Sequence, residues 1–399
     1  MNAQHGKCPT GNSRLWFVCP KFVADSEVWM YRQALGIRRL EVKVIAERRS
    51  NAEHYPASGF TIETLDEHAR LPRSRALRYL MFLSNFRHGF FPGSRAEVRW
   101  WLTKFRREKP DVLLAQYGLT ATRMLPLARK YGVPVVAHFH GFDLSSSLVR
   151  KGYGARLRWA LPKLAGIVVV GQFQYDWMLE HGVAADRLRL IPCGVPIDEF
   201  TAEKVETPGK CQFLAVGRFV PKKAPELTLR AFALCAGEVP DCELRIIGDG
   251  PLLPQCKELA EVLGIRNKVV FLGSQPNERV KEEMRSASAF VQHSITASNG
   301  DKEGWPVSIA EACASRLPVV STRHAGIIDQ IDEGQTGFLV DEGDWPAMAV
   351  HMAELARDRE LRYRMGAAAR EKIEQFDTAI QVAKLEEFLL ECVGAMPGR

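Results

Sequence analysis

The sequence predicts an α/β protein built from two doubly wound parallel-sheet units in tandem. Three observations carry this. Short apolar or β-branched runs alternate with amphipathic stretches along the chain. That alternation breaks once, near 193–210, and then restarts. And 399 residues are too many for one ordinary core but suit two domains of ~200 residues each.

The strands of the first unit read as "RLWFVCP" (14–20), "EVKVIAE", "DVLLAQ", "VPVVAHF" and "GIVVVG", with an amphipathic helix over 26–39 after the first. The break, "CGVPIDEFTAEKVETPGK", is rich in Pro, Gly and charge. Beyond it come "CQFLAVGRF", a helix over 225–238, "CELRIIGDG", a helix over 251–264, "KVVFLGS", a helix over 277–286, "AFVQHS", a helix after Trp305, and "LPVVST". The expected division is 1–197, 198–375 and a final helix in 376–399 packing back toward the first domain. In such sheets ligands sit outside the carboxyl ends of the strands, so two facing units make one cleft.

Composition is globular, with 46% hydrophobic and 25% charged residues and no repeat. Nine cysteines without C-x-x-C pairs, and a start "MNAQHGKCPTGNSRLWF" lacking a long apolar run, predict a reduced, cytoplasmic protein. No stretch reaches the ~18 apolar residues of a membrane span. Residues 1–197 carry 30 Lys and Arg against 15 Asp and Glu, while the remainder carries 24 against 32. The basic half has no nucleic-acid motif, so no nucleic-acid partner is expected. Its densest part, Arg70 to Lys109, has 11 basic and two acidic residues, interleaved with Phe82, Phe86, Phe90, Phe91, Trp100 and Trp101. This suits either a helix on an anionic membrane surface or an ordinary helical face whose aromatics fill the core.

Each strand of the second unit ends on a Gly or polar turn, which places Arg218, one of Lys222 and Lys223, Asp249 and Glu303 on one rim. Arg and Lys there suit a diphosphate. Gly304 and Pro306 defer the next helix to about Pro306, so Val307, Ser308 and Ile309 would offer backbone N–H groups to an anion. Glu303 lies just before that helix end and Glu311 about a turn inside it. They read as two acceptors along an extended ligand, one for sugar and one for ribose hydroxyls, rather than a hydrolase pair set ~5–10 Å apart.

"GRFVPKKAP", "IIGDGP", "FLG" and E-x7-E, in this order, resemble the family-4 retaining glycosyltransferases of GT-B fold, and "IPCGVPIDEF" resembles the end of their first domain. The resemblance covers most of 188–345. It implies that Arg218 and Lys223 hold the donor diphosphate, that Glu303 contacts the donor sugar and Glu311 the ribose, and that His140, with His138 as rival, points at the sugar. "CPKFVADSEVWMYRQ" with Ser26-Glu27, "AHFHGFD" and "TASNGDKEGWPVSIAEA" resemble the subgroup that builds exopolysaccharides of the colanic acid and amylovoran kind. Pro306 stands where many members have a Gly and cannot donate a backbone N–H. The implied function is retaining transfer of a sugar from a UDP- or GDP-sugar to a glycan acceptor, expected to be lipid-linked, by an enzyme at the inner face of the cell membrane. The donor-binding set is then Arg218, Lys223, Asp249, Gly304, Val307, Ser308 and Glu311, and the catalytic set His140, Glu303, Arg218 and Lys223. No DxD or H-E-x-x-H is present, so neither metal nor cofactor is expected. The alternatives are a GT-B-like nucleotide-sugar epimerase and a non-catalytic sugar-nucleotide-binding protein. A Rossmann oxidoreductase is disfavoured because no G-x-G-x-x-G follows the first strand.

Overall fold

The computed structural model of the chain describes residues 13–23, 27–65, 95–145, 152–200 and 210–395. The first sheet consists of β1 (Ser13–Phe22), β2 (Leu40–Arg49), β3 (Thr61–Thr64), β4 (Val112–Gln116), β5 (Val135–Phe139), β6 (Gly166–Val169) and β7 (Leu188–Leu190). Its spatial order is β3-β2-β1-β4-β5-β6-β7, parallel throughout. The second sheet consists of β8 (Cys211–Val216), β9 (Cys242–Ile247), β10 (Val269–Gly273), β11 (Ala289–Val291), β12 (Val319–Thr322) and β13 (Gly337–Val340). Its order is β10-β9-β8-β11-β12-β13, again parallel throughout.

Every residue of β4, β5, β6, β11, β12 and β13 is buried. Helices cover both faces of such sheets, which is why the strands read as continuous apolar runs rather than alternating ones. In each sheet the winding reverses beside the first strand, between β1 and β4 and between β8 and β11. There the chains leave in opposite directions and open a crevice at the strand ends.

The helix expected over 26–39 is shorter, Val28–Gly36, because Ile37 is already extended. Part of the basic stretch also departs from a membrane-surface reading. It forms the helix Arg95–Glu108, in which Trp101 and Phe105 are buried against Trp16. Lys104 is ion-paired with Glu63 and Glu108. These aromatics are core, and only side chains such as Arg99, Arg106 and Arg107 face water. Phe82, Phe86, Phe90 and Phe91 lie outside the described residues.

The chain crosses between the domains twice, at neighbouring points. Val195 N–H donates to Phe376 O at 3.0 Å, and Thr378 N–H donates to Val195 O at 3.0 Å. The second crossing delivers the helix Thr378–Gly394 to the first sheet. Gly166 of β6 faces it, where a Cβ would lie 2.7 Å from the Phe388 ring. Buried Glu386 accepts from the backbone N–H groups of Arg38 at 2.7 Å and Arg39 at 2.5 Å. Glu386→Ala leaves those donors without their acceptor and should cost roughly 1–3 kcal/mol. The urea midpoint should fall at unchanged slope; an unshifted midpoint would show that the amides find water instead.

Candidate active site

The domains meet backbone to backbone. A Cβ on Gly304 would lie 2.0 Å from His140 O, and one on Gly326 would lie 1.7 Å from Gly304 O. Only glycine allows this approach, since any side chain would hold the strand ends apart. Beside it, Lys302 N–H donates to Ser145 Oγ at 3.0 Å. The peptide after Glu303 is therefore set against the end of β5, where His140 stands.

On the second-domain side, the loop after β8 carries Gly217, Arg218 and a 3-10 turn, Pro221–Lys223. Ala224 turns left-handed (φ 37°) to start the helix Pro225–Glu238. The turn sends its two lysines to different partners. Lys222 is buried and reaches Asp301 Oδ1 at 3.3 Å and Lys302 O at 3.2 Å, so it braces the loop before Glu303. Lys223 Nζ reaches Gln292 Oε1 at 3.1 Å and Glu303 Oε1 at 3.3 Å. Burial pulls the Lys223 ammonium below its ordinary range, and Lys222 and Arg218 add to this against Glu303. Glu303 is buried too, but the Lys223 and Lys222 charges outweigh that burial and hold its carboxyl below the usual range. Arg218 is exposed on the same rim.

Asp249 belongs to the next loop. Its carboxylate accepts from Gly250 N–H at 2.6 Å, and its carbonyl accepts from Phe219 N–H at 2.9 Å. It shapes the turn that backs the Arg218 loop. Gly248, at φ +140°, allows that contact, since a Cβ there would lie 1.9 Å from Gly217 O.

The helix Val307–Ala314 starts after Pro306. Of the three amides expected to be free, Ile309 N–H is not, because it donates to Pro306 O at 3.1 Å. Those of Val307 and Ser308 have no partner among the described residues. Glu311 is buried within this helix, and Arg32 Nη1 of the first domain lies 3.8 Å from its Oε1. Burial pushes Glu311 up to about 7 despite Arg32.

His140 follows β5 and packs against the rings of Trp29, His138 and Tyr117. Its Nε2 lies 2.8 Å from Gln116 Oε1 and its Nδ1 3.6 Å from Cys193 Sγ. Burial, reinforced by His138, keeps it well below the ordinary imidazole range and hence neutral. His138, the rival, is wholly buried behind it against Trp29. Glu27 accepts from Tyr117 Oη at 2.5 Å. Burial raises Glu27, while Tyr117 and Arg218 across the cleft pull the other way. Tyr117 itself sits at φ +70°, strained for a side chain of that size.

The structure thus gathers Arg218, Lys223, Glu303, Val307 and Ser308 around one rim, with His140 just across it. Glu311 stands further along, and Asp249 lies behind. Sequence reasoning missed Tyr117, Gln116 and Cys193 around His140, and Arg32 on Glu311. It also missed His324, whose Nε2 accepts from Glu303 N–H at 3.1 Å while Nδ1 donates to Glu342 at 2.5 Å. The strand-end pair Gln116-Tyr117 after "DVLLA" was the one visible signal. Among the described residues no three His, Cys, Asp or Glu side chains form a metal-ligand group.

Glu311 gives a stability test. Its carboxyl ionises near 4.5 when unfolded and about 7 when folded, so folding favours the neutral form. The resulting stability is complete below pH 4.5 and is lost as pH rises through 7. Glu311→Gln, neutral at every pH, should therefore be more stable than the parent above pH 7, by up to roughly 3 kcal/mol. Denaturant unfolding at pH 5 and pH 8.5 reads it; an equal difference at both would refute the buried-charge account.

Residues 197–372 match the family described as Glycosyl transferases group 1, and residues 26–199 match Glycosyltransferase Family 4. A Salmonella typhimurium protein assigned to colanic acid biosynthesis, the glycosyltransferase WcaL, is 29% identical over 66% of this chain and 66% of its own length. The amylovoran biosynthesis glycosyltransferase AmsK of Erwinia amylovora is 27% identical over 70% of each. The matched stretch thus spans about two thirds of the length of these relatives. Among solved structures, Anabaena Alr3699/HepE in complex with UDP-glucose superposes with a TM-score of 0.74 over 95% of this chain and 100% of that one, at 16% identity, which speaks for the fold alone. With the two matches together running from residue 26 to 372 and the two facing sheets of the GT-B architecture, the chain belongs to the family-4 glycosyltransferases, among relatives of the colanic acid and amylovoran kind.

Proposed function

We propose that the protein transfers a hexosyl group from a UDP- or GDP-sugar to a hydroxyl of a growing exopolysaccharide, with retention at the anomeric carbon. The observation that carries this is the rim where exposed Arg218, the Lys223–Glu303 pair and the Val307 and Ser308 amides converge at the end of β8, opposite His140. The HepE structure, of the same fold, was solved with UDP-glucose.

In this reading the bond from C1 to the diphosphate breaks and one from C1 to the acceptor oxygen forms. The acceptor's proton leaves on the departing diphosphate. The protein's share is positioning and positive charge fixed where negative charge develops. Arg218, Lys223 and the two amides supply that charge, which makes it protein-borne rather than metal-borne. Glu303, held ionised, accepts from sugar hydroxyls, and Glu311 accepts from ribose. His140 is neutral and turns Nδ1 from the Cys193 thiol to the sugar.

Arg218→Ala is the cleanest test, because that side chain is exposed. It should unfold at the parent's temperature and transfer about 100-fold more slowly, the scale of losing one charge-stabilising group. Glu303→Ala should lower kcat with nucleotide affinity kept, and Glu311→Ala should weaken UDP or GDP binding. Full turnover in Arg218→Ala, or donor turnover without transfer to any glycan, would end this reading.

The finer expectation is a lipid-linked acceptor approached from an anionic membrane face. Arg99, Arg106 and Arg107 of the basic stretch are exposed, and no described helix is long and apolar enough to cross a membrane. Arg73, Arg75 and Arg78 lie outside the described residues. Binding to phosphatidylglycerol vesicles should fall as salt rises and drop when those three become Ser. No binding at low salt would leave a soluble glycan as the acceptor.

A further inference from the structure

Glu311 lies in the second domain, yet its nearest counter-charge comes from the first. Arg32, on the helix Val28–Gly36, spans the cleft with a forked contact. Its Nη1 lies 3.8 Å from Glu311 Oε1 and its Nη2 3.3 Å from Glu199 Oε2, in the turn that joins the domains. Glu199 does not consume the guanidinium, because Lys281 Nζ also holds it at 2.8 Å. Lys281 is shared in turn with Glu278 at 2.9 Å. On the other flank, Arg370 of the helix Arg359–Glu374 spends its Nη1 on the Ala314 and Phe200 carbonyls and its Nε on Glu374. Tyr55 faces Arg32 and Glu199 from the first domain. Among the described residues, Arg32 is the one cation in contact with the Glu311 carboxylate.

We propose that Arg32 is a positioning residue for the nucleotide: reaching in from the first domain, it aims the Glu311 carboxylate and favours its anion, so that the ribose diol meets an ionised acceptor more often than burial alone would allow. The inference rests on the assignment of Glu311 to ribose made above. A diol donating two hydrogen bonds binds a carboxylate better than a neutral acid, which keeps one oxygen as a donor. Burial already drives Glu311 up to about 7 with Arg32 in place. Removing the guanidinium drives it further, so at neutral pH the site would hold a protonated acid. The first domain thereby tunes donor affinity at a carboxylate of the second, without a direct contact between Arg32 and the nucleotide.

The test is calorimetric binding of UDP, and separately GDP, to the full chain from pH 5.5 to 9.5. The parent, Arg32→Met, Arg32→Lys, Glu311→Gln and the double variant are compared. The nucleotide's own phosphate ionisation is common to all and cancels in ratios. The Kd ratio of Arg32→Met to parent should stay near one at pH 5.5, where Glu311 is protonated in both. It should rise to about threefold near pH 7 and fall back toward one by pH 9, as expected when one ionisation moves by about one pH unit and the neutral acid binds about tenfold more weakly than the anion. Arg32→Lys should bring the ratio back to about one across the range. Adding Arg32→Met to Glu311→Gln should change nothing further. Should Arg32→Met fold poorly, Arg32→Gln repeats the series with hydrogen bonds kept and charge removed. A ratio that stays flat with pH, at one or at any other value, overturns the proposal while leaving the transferase reading intact. A parent that binds neither nucleotide at any pH overturns both.

Discussion

The architecture depends on one close approach, that of the Gly304 peptide to the carbonyl of His140. It brings the carboxyl end of β5 in one sheet against the loop leaving β11 in the other, with no side chain between them. Everything the site requires follows from it. Glu303 precedes that glycine and is turned toward Lys223, its backbone held by His324. His140 supplies the opposite wall, its Nε2 held by Gln116. Because the contact is between main chains, it is set by the two folds rather than by adaptable side chains.

Around that contact the charges are buried in an order that serves binding more than folding. A buried carboxylate is costly unless paired, and pairing within one domain makes it permanent. Glu303 is of this permanent kind, since Lys223 and Lys222 come from its own domain. Glu311 is not, since its counter-charge belongs to the neighbour. One acceptor is thus held toward its anion from within its own domain, and the other leans on a residue of the neighbour. Sites commonly give up stability for such arrangements, and the strained backbone of Tyr117 beside Glu27 is a second instance.

Much of this was legible in the sequence, for particular reasons. β4, β5, β6, β11 and β12 are covered on both faces, so each reads as an unbroken apolar run. The Gly217-Arg218 turn, Lys223 and the spacing of Glu303 and Glu311 are local patterns that survive without knowledge of the fold. The helix start was placed within a residue because Pro306 fixes it. What could not be read are partnerships across sequence distance. β3 and β7 are short edge strands with weak patterns, and both escaped notice. Nothing in "YRQALG" marks Arg32 as the neighbour of a carboxylate 279 positions later. Lys222 and Lys223 look alike as a bare dipeptide, and only the family resemblance singled out Lys223; in the fold one braces a loop and the other meets Glu303. Trp101 read equally well as a membrane anchor or as core, because periodicity marks an apolar face without saying what covers it.

The two crossings between the domains lie side by side, Val195 bonded to Phe376 and Thr378. The covalent connections thus lie along a single edge, like the hinge of a door, while the contacts elsewhere are non-covalent. Rotation about that edge disturbs few main-chain bonds, whereas sliding or twisting would break the paired crossings. For a given swing, displacement grows with distance from the hinge. The cleft therefore widens most at its far side while the hinge stays packed, and each swing returns the two walls to the same register.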